Sequence, residues 1–142
     1  MELEVVHELS DAQVVQLMDL YRNAWWAEDR TLEDVREMLA HTNFIFGFLS
    51  PNHGDLLAFA RVLSDWTYFA LIFDVIVRPE YRRKGIGSQV VKTVMKHPVI
   101  TQVQNVELCC LEEMKPFYKR HGFSEGTGRM QMKRKRPTMG CT

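Results

Sequence analysis

Apolar positions change their period repeatedly along this chain, and each change predicts an element. Leu3 to Leu9 reads as a first strand. Ser10-Asp11-Ala12-Gln13 has the form of a capping box, and Val14, Leu17, Met18 and Tyr21 follow it at helical spacing. Thr31-Leu32-Glu33-Asp34 is a second such start, opening a helix whose apolar face is Leu32, Val35, Met38 and Leu39. Phe44 to Leu49 and Leu56 to Leu63 flank Ser50-Pro51-Asn52-His53-Gly54, a turn by composition, so the pair predicts a hairpin. Tyr68 to Val77 is apolar on both faces and belongs at the centre of a sheet, with Asp74 its one charged position. Val90, Val91, Val94 and Met95 give the next helix an apolar side, and Pro98 marks its end. Val106 to Leu111 predicts another strand. Pro116 and Gly122 bracket a short helix over Phe117–His121, and Met130 and Met132 suggest a last strand before a loose tail at about 133–142. The order is β-α-α-β-β-β-α-β-α-β. It predicts an α/β fold with a mixed, mostly antiparallel sheet and helices on both faces, in one domain over 1–142.

Between the central strand and the helix after it lies Arg82-Arg83-Lys84-Gly85-Ile86-Gly87-Ser88. A basic, glycine-rich turn from a buried strand into a helix is suited to holding phosphate. The glycines allow close backbone approach, and the first helical N–H groups lack intrahelical partners and carry the positive end of the helix dipole. The spacing excludes two common phosphate loops. A Walker loop places its lysine after the glycines, whereas Lys84 precedes them, and a dinucleotide fingerprint requires a third glycine where this chain has Val90.

Composition acts mainly by exclusion. The chain has 142 residues, 46% hydrophobic and 25% charged, the values of an ordinary globular domain, and its formal net charge is zero, so no global field favours nucleic acid or an anionic membrane. No apolar run reaches the roughly 20 residues that span a bilayer. Met1-Glu2-Leu3-Glu4 is acidic and unlike a signal peptide, and a cytoplasmic location is expected. Cys109, Cys110 and Cys141 offer neither a disulfide framework nor metal-ligand spacing, and the adjacent pair reads as reduced thiols on a buried strand. His7, His41, His53, His97 and His121 show no metal-binding pattern and read mostly as surface residues. Lys133-Arg134-Lys135-Arg136 reads as a solvated tail.

The run Val77-Arg78-Pro79-Glu80-Tyr81-Arg82, followed by Gly85-Ile86-Gly87 and a helix, resembles the coenzyme A loop of the GNAT superfamily of N-acetyltransferases. A second stretch agrees: Val106-Glu107-Leu108, then Pro116-Phe117-Tyr118-Lys119-Arg120-His121-Gly122-Phe123, is similar to the family's closing strand, short helix and Gly-Phe pair. With the element order, the resemblance covers nearly the whole chain. It implies acetyl-coenzyme A as donor, no metal, and direct attack by an amine in a ternary complex. Backbone N–H groups of Val75, Ile76 and Val77 would meet the pantetheine arm and polarise the acetyl carbonyl. The backbone from Arg82 through Arg83, Lys84, Gly85, Ile86, Gly87 and Ser88 would cradle the pyrophosphate, with Arg82 and Arg83 adding charge. Tyr118 matches the tyrosine that donates to the departing sulfur; packing of the short helix is its plain alternative, which suits Phe117 better. The expected partner is a small-molecule amine, with neither nucleic acid nor membrane, and a homodimer is compatible with the reading.

Asp74 stands in an otherwise apolar strand. Burial alone would raise its carboxyl towards the range of a general base, a role that some family members give to an acid on this strand. The alternative is a structural carboxylate pairing with Arg61 or capping a backbone group. For the acceptor, Trp25, Trp26, Glu28 and Asp29 between the first two helices, and Asp65 and Trp66 before the central strand, set aromatic faces beside acids, a combination suited to a cationic amine. Glu112 and Glu113 are further acidic candidates. Two other classes compete with an enzyme. One is a non-catalytic acyl-coenzyme A sensor, against which Tyr118 and Asp74 argue. The other is a nucleotide-phosphate-binding module, which the missing Walker and Rossmann spacings disfavour.

Overall fold

Ser10 and Thr31 open the first two helices as their side chains predict. In the computed structural model, which describes residues 2–137, the Ser10 hydroxyl accepts from the Gln13 N–H while the Gln13 side chain accepts from the Ser10 N–H. Both halves of the capping box are therefore made, and α1 runs Asp11–Arg22. Thr31 makes only the first half, accepting from the Asp34 N–H at 3.1 Å, and α2 runs Leu32–Ala40.

The strands are β1 (Glu4–Val6), β2 (Phe44–Leu49), β3 (Leu56–Ser64), β4 (Phe69–Val77) and β5 (Asn105–Leu108), and they lie in that order across one sheet. β1 to β4 are antiparallel neighbours, and β5 joins β4 in parallel. The parallel step requires a crossover, supplied by α3 (Ile86–Met95) and α4 (Pro98–Gln102). A last helix, α5, covers Lys115–Arg120.

Alternation along the strands splits the apolar residues into two layers. On one face, Leu17, Leu20 and Tyr21 of α1 and Val35 of α2 pack with Leu56, Phe59 and Ile76. On the other, Ile86, Val90 and Val94 of α3 and Ile100 of α4 pack with Phe46, Phe48, Ala58, Ala60, Val62 and Ile72. Fully burying one such aliphatic side chain is worth about 1.5–3 kcal/mol. Among the described residues no helix is long and apolar enough to cross a membrane.

Four expectations change. Pro98 ends α3 but also begins α4, where a proline at the first position loses no bond and the His97 ring nitrogen accepts from the Val99 N–H. His97 is correspondingly half-buried, its ring 4.3 Å from that of Phe44, and so is not a surface residue. The predicted strand Val106–Leu111 stops at Leu108, and Cys109 and Cys110 are exposed, not buried on a strand. The predicted strand at Met130–Met132 does not form; both methionines stand open to solvent in a segment otherwise polar and basic, with no apolar layer to bury them. Cys141 and the end of the predicted tail lie outside the described residues.

Candidate active site

Why β5 is short follows from β4. Phe69–Ile72 pairs with Asn105–Leu108, but the pairing stops there, while β4 continues against β3 to Val77. In the β3 register Phe73 faces Arg61 and Ile76 faces Phe59, so Asp74 and Val75 together stand opposite Ala60. That extra residue is a β-bulge, and Asp74 takes a left-handed backbone, φ 56°. Bulges bend the strand that carries them. Beyond this bend the edge of β4 that faced β5 has no strand partner, leaving a gap between the parallel strands. Val75, Ile76 and Val77, expected to offer their backbone to a donor, lie along this stretch.

A left-handed conformation at a non-glycine residue costs of order 1 kcal/mol or more, and the surroundings must hold it in place. Here three side chains do so. One oxygen of Asp74 accepts from the Tyr21 hydroxyl at 2.9 Å, from Arg30 Nη1 at 2.8 Å and from Arg61 Nε at 2.7 Å. Its side chain is only 5% exposed. Burial pushes the carboxyl upward, but hydrogen bonds and charge from Arg30 and Arg61 outweigh it, so the group is held below the usual carboxylate range. This reverses the expected rise: Asp74 is an ionised, fully engaged carboxylate, and the Arg61 partner foreseen for its structural role is present. Tyr21, buried and beside Asp74, is raised far above an ordinary phenol. Arg30 and Tyr21 were not anticipated. Arg30 stacks over the rings of Tyr21 at 4.7 Å and Trp26 at 5.4 Å, and Arg61 over Phe73 at 4.9 Å.

At the far end of β4 the chain turns through Pro79–Tyr81 into the glycine-rich loop. Arg83 and Gly85 both take left-handed backbones, φ 63° and 79°, which aims the loop into α3. No side chain caps α3, and its first backbone bond runs from the Gln89 N–H to the Gly85 carbonyl, so the N–H groups of Ile86, Gly87 and Ser88 precede the first intrahelical bond. Arg82 Nε donates to the Val77 carbonyl at 3.1 Å, tying the loop to the open strand, and Lys84 lies over the Tyr81 ring at 5.4 Å.

α5 closes the same region. The Phe117 ring comes within 3.5 Å of where a Cβ on Gly87 would stand, so α5 packs against the start of α3. The His121 ring nitrogen and the Ser88 hydroxyl are 3.2 Å apart. Tyr118 is buried between Phe117 and Phe123. Burial and neighbouring Cys110 push its phenol up to about 12, so it stays protonated at neutral pH. Its hydroxyl donates to no group among the described residues, and no sealed polar atom there lacks a partner, so the oxygen remains reachable.

The acceptor candidates separate. Trp26 is half-exposed beside Arg30, whereas Trp25 (68% exposed) and Glu28 stand in solvent on the same loop. Asp65 accepts from the Phe69, Thr67 and Tyr68 N–H groups, which hold it below the carboxylate range and make it a turn residue. Trp66 packs on Phe44, on the α3 side of the sheet and away from Asp74. Glu112 pairs with Lys115 at 2.9 Å.

Known proteins are similar to this chain in sequence and in fold. The Acetyltransferase (GNAT) family matches residues 12–123. GCN5-related N-acetyltransferase 3, chloroplastic, of Arabidopsis thaliana is 32% identical over 77 residues, which are 54% of this chain and 32% of that protein. The uncharacterized N-acetyltransferase ycf52 of Porphyra purpurea is 28% identical over 127 residues, 86% of this chain and 72% of that one. The chain thus spans about a third of the length of the first relative and nearly three quarters of the second. A crystal structure of a protein assigned to the same family, from Xanthomonas campestris pv. campestris, superposes with a TM-score of 0.82 at 29% identity, covering 98% of this chain and 96% of that one. A strand gap, an uncapped helix beside it and a family match over most of the sequence lead to one conclusion: this chain belongs to the acetyltransferase (GNAT) family.

Proposed function

We propose that the chain transfers an acetyl group from acetyl-coenzyme A to the amine of a small molecule, by direct attack in a ternary complex. The observation that carries this reading is the gap beyond Ile72 and Leu108, flanked by the uncapped start of α3 and by Tyr118. Gly85 with its left-handed backbone and the free N–H groups of Ile86, Gly87 and Ser88 suit a pyrophosphate, with Arg82, Arg83 and Lys84 supplying charge. Acetyl-coenzyme A supplies the thioester. The open edge of Val75–Val77 offers N–H groups to the pantetheine arm and to the carbonyl oxygen as it gains negative charge. The amine nitrogen bonds to the carbonyl carbon, the carbon–sulfur bond breaks, and Tyr118 gives its proton to the leaving sulfur; the proton lost by the amine passes to water, and water returns a proton to the Tyr118 phenolate. We assign Asp74 to holding Arg30, Arg61 and Tyr21 in place, and not to taking that proton.

Thiol release from acetyl-coenzyme A with a set of amines tests the reaction, and intersecting initial-velocity patterns test the ternary complex. Binding of acetyl-coenzyme A without thiol release for any amine would make the chain a sensor. Tyr118→Phe keeps the ring packing but removes the proton, and it should lower kcat by about 10²-fold with little change in donor affinity. Full turnover in that variant would leave Tyr118 as a packing residue.

A further inference from the structure

The side of β4 that carries Asp74 is only partly roofed. α1 and α2 cover Phe59 and Ile76, but Leu71 and Phe73 remain each 37% exposed. Two guanidinium groups and one carboxylate meet at the edge of this opening. Asp74 answers one positive charge, so the cluster keeps a net charge of +1, and no ion pair links Arg30 or Arg61 to any other acid among the described residues. Arg61 is the more telling of the two. Its Nε is spent on Asp74, but neither terminal nitrogen bonds to any group among the described residues, and its side chain is 13% exposed. Its plane lies over Phe73. A fork of N–H donors, held by Asp74 behind and by an aromatic ring beneath, matches the paired oxygens of a carboxylate or phosphate.

We propose that the acceptor is a small amine carrying its own anionic group, a carboxylate or a phosphate, which docks on the free end of Arg61 with Arg30 beside it while its apolar part lies on Phe73 and Leu71. The proposal rests on the acetyltransferase reading and narrows its substrate. It adds to the sequence expectation that acids beside tryptophans suit a cationic amine: Glu28 stands in solvent and Asp65 is engaged in its own turn, whereas the charge at the sheet is positive.

Matched amines that differ only in the anionic group test it. L-phenylalanine against its amide forms the carboxylate arm, and phosphoethanolamine against ethanolamine forms the phosphate arm. In at least one arm the anionic member should show kcat/KM greater by about tenfold or more, the weight of one charge-assisted hydrogen bond. In Arg61→Gln that ratio should collapse towards one, and Arg61→Lys, which keeps the charge but not the fork, should restore part of it. Because the ratio is taken within one preparation, partial loss of folding in a variant does not move it. Equal turnover of both members in both arms, or preference for the members without the anionic group, would overturn the anion site and leave acetyl transfer standing. If no amine releases thiol, acetyl transfer fails instead, and calorimetry with N-acetylphenylalanine and its amide decides the site. Binding of the acid alone, lost in Arg61→Gln, sustains the anion site, and equal binding of the two removes it.

Discussion

Gly87→Glu should weaken acetyl-coenzyme A binding by about 10³-fold or more, as measured by calorimetry, while the protein stays folded. Position 87 lies in the first turn of α3, ahead of the first intrahelical hydrogen bond, where N–H groups are free to meet an anion. A Cβ there would meet the Phe117 ring at 3.5 Å, an ordinary contact, so the backbone tolerates a side chain. A glutamate at a helix start is itself favourable, by about 0.3–1 kcal/mol, because it opposes the positive end of the dipole. The same position therefore improves the helix and spoils the site: the carboxylate repels the incoming phosphates and claims the N–H groups they need. Losing two charge-assisted hydrogen bonds at about 1.5–3 kcal/mol each accounts for the expected factor. Unchanged affinity in a folded variant would remove the pyrophosphate assignment.

The second large effect is on stability. Asp74→Asn should destabilise the fold by about 3 kcal/mol, the lower end of what breaking a buried pair costs, since Arg30 is 28% exposed and water relieves part of the loss. Asparagine tolerates the left-handed backbone at least as well as aspartate, so the change isolates charge from strain. The sign with pH follows from the depressed carboxyl. The folded-state value lies below the unfolded one, so the stabilisation is complete above the unfolded pKa of about 3.9 and is lost as pH falls through the lower folded value. Thermal melts should show the wild type losing stability on acidification below about pH 4, with a flatter dependence in the variant. The acidic limb of kcat/KM should stay where it is, set by ionisation of the amine substrate. A limb that shifts in Asp74→Asn would instead make this carboxylate the base.

How much the sequence disclosed depended on how local each signal was. β2 and the glycine-rich loop announced themselves through neighbouring residues: β2 begins at Phe44 and ends at Leu49 as its apolar run does, and Gly85 takes a left-handed backbone that glycine adopts without strain. The short helix that carries Tyr118 was legible because Pro116 and Gly122 bracket it. The cluster around Asp74 was not. Arg30 is 44 residues away and Tyr21 53, and only the docking of α1 and the following loop onto the sheet brings them together. Period-2 alternation also cannot foresee a bulge. In the sequence Asp74 only interrupts an apolar run; in the fold it is where β4 gains a residue, just past the last pairing with β5 at Ile72, and β5 ends at Leu108 and not at Leu111. Met130 and Met132 alternate as a strand would, yet alternation alone forms no strand without a layer to bury it.

An unpaired strand wall also has a colloidal side. From Phe73 to Val77 one row of backbone donors and acceptors faces no strand, in the arrangement that invites another chain to pair and aggregate. The outermost strands of the sheet are short, with three residues in β1 and four in β5, so this inner wall is the longer vulnerable stretch. A donor lying along it would satisfy those groups in place of a neighbouring strand. Acetyl-coenzyme A should then act as a chaperone for its own enzyme, stabilising the fold by about 2.7 kcal/mol at a hundred times its Kd and slowing aggregation on heating, as light scattering would record.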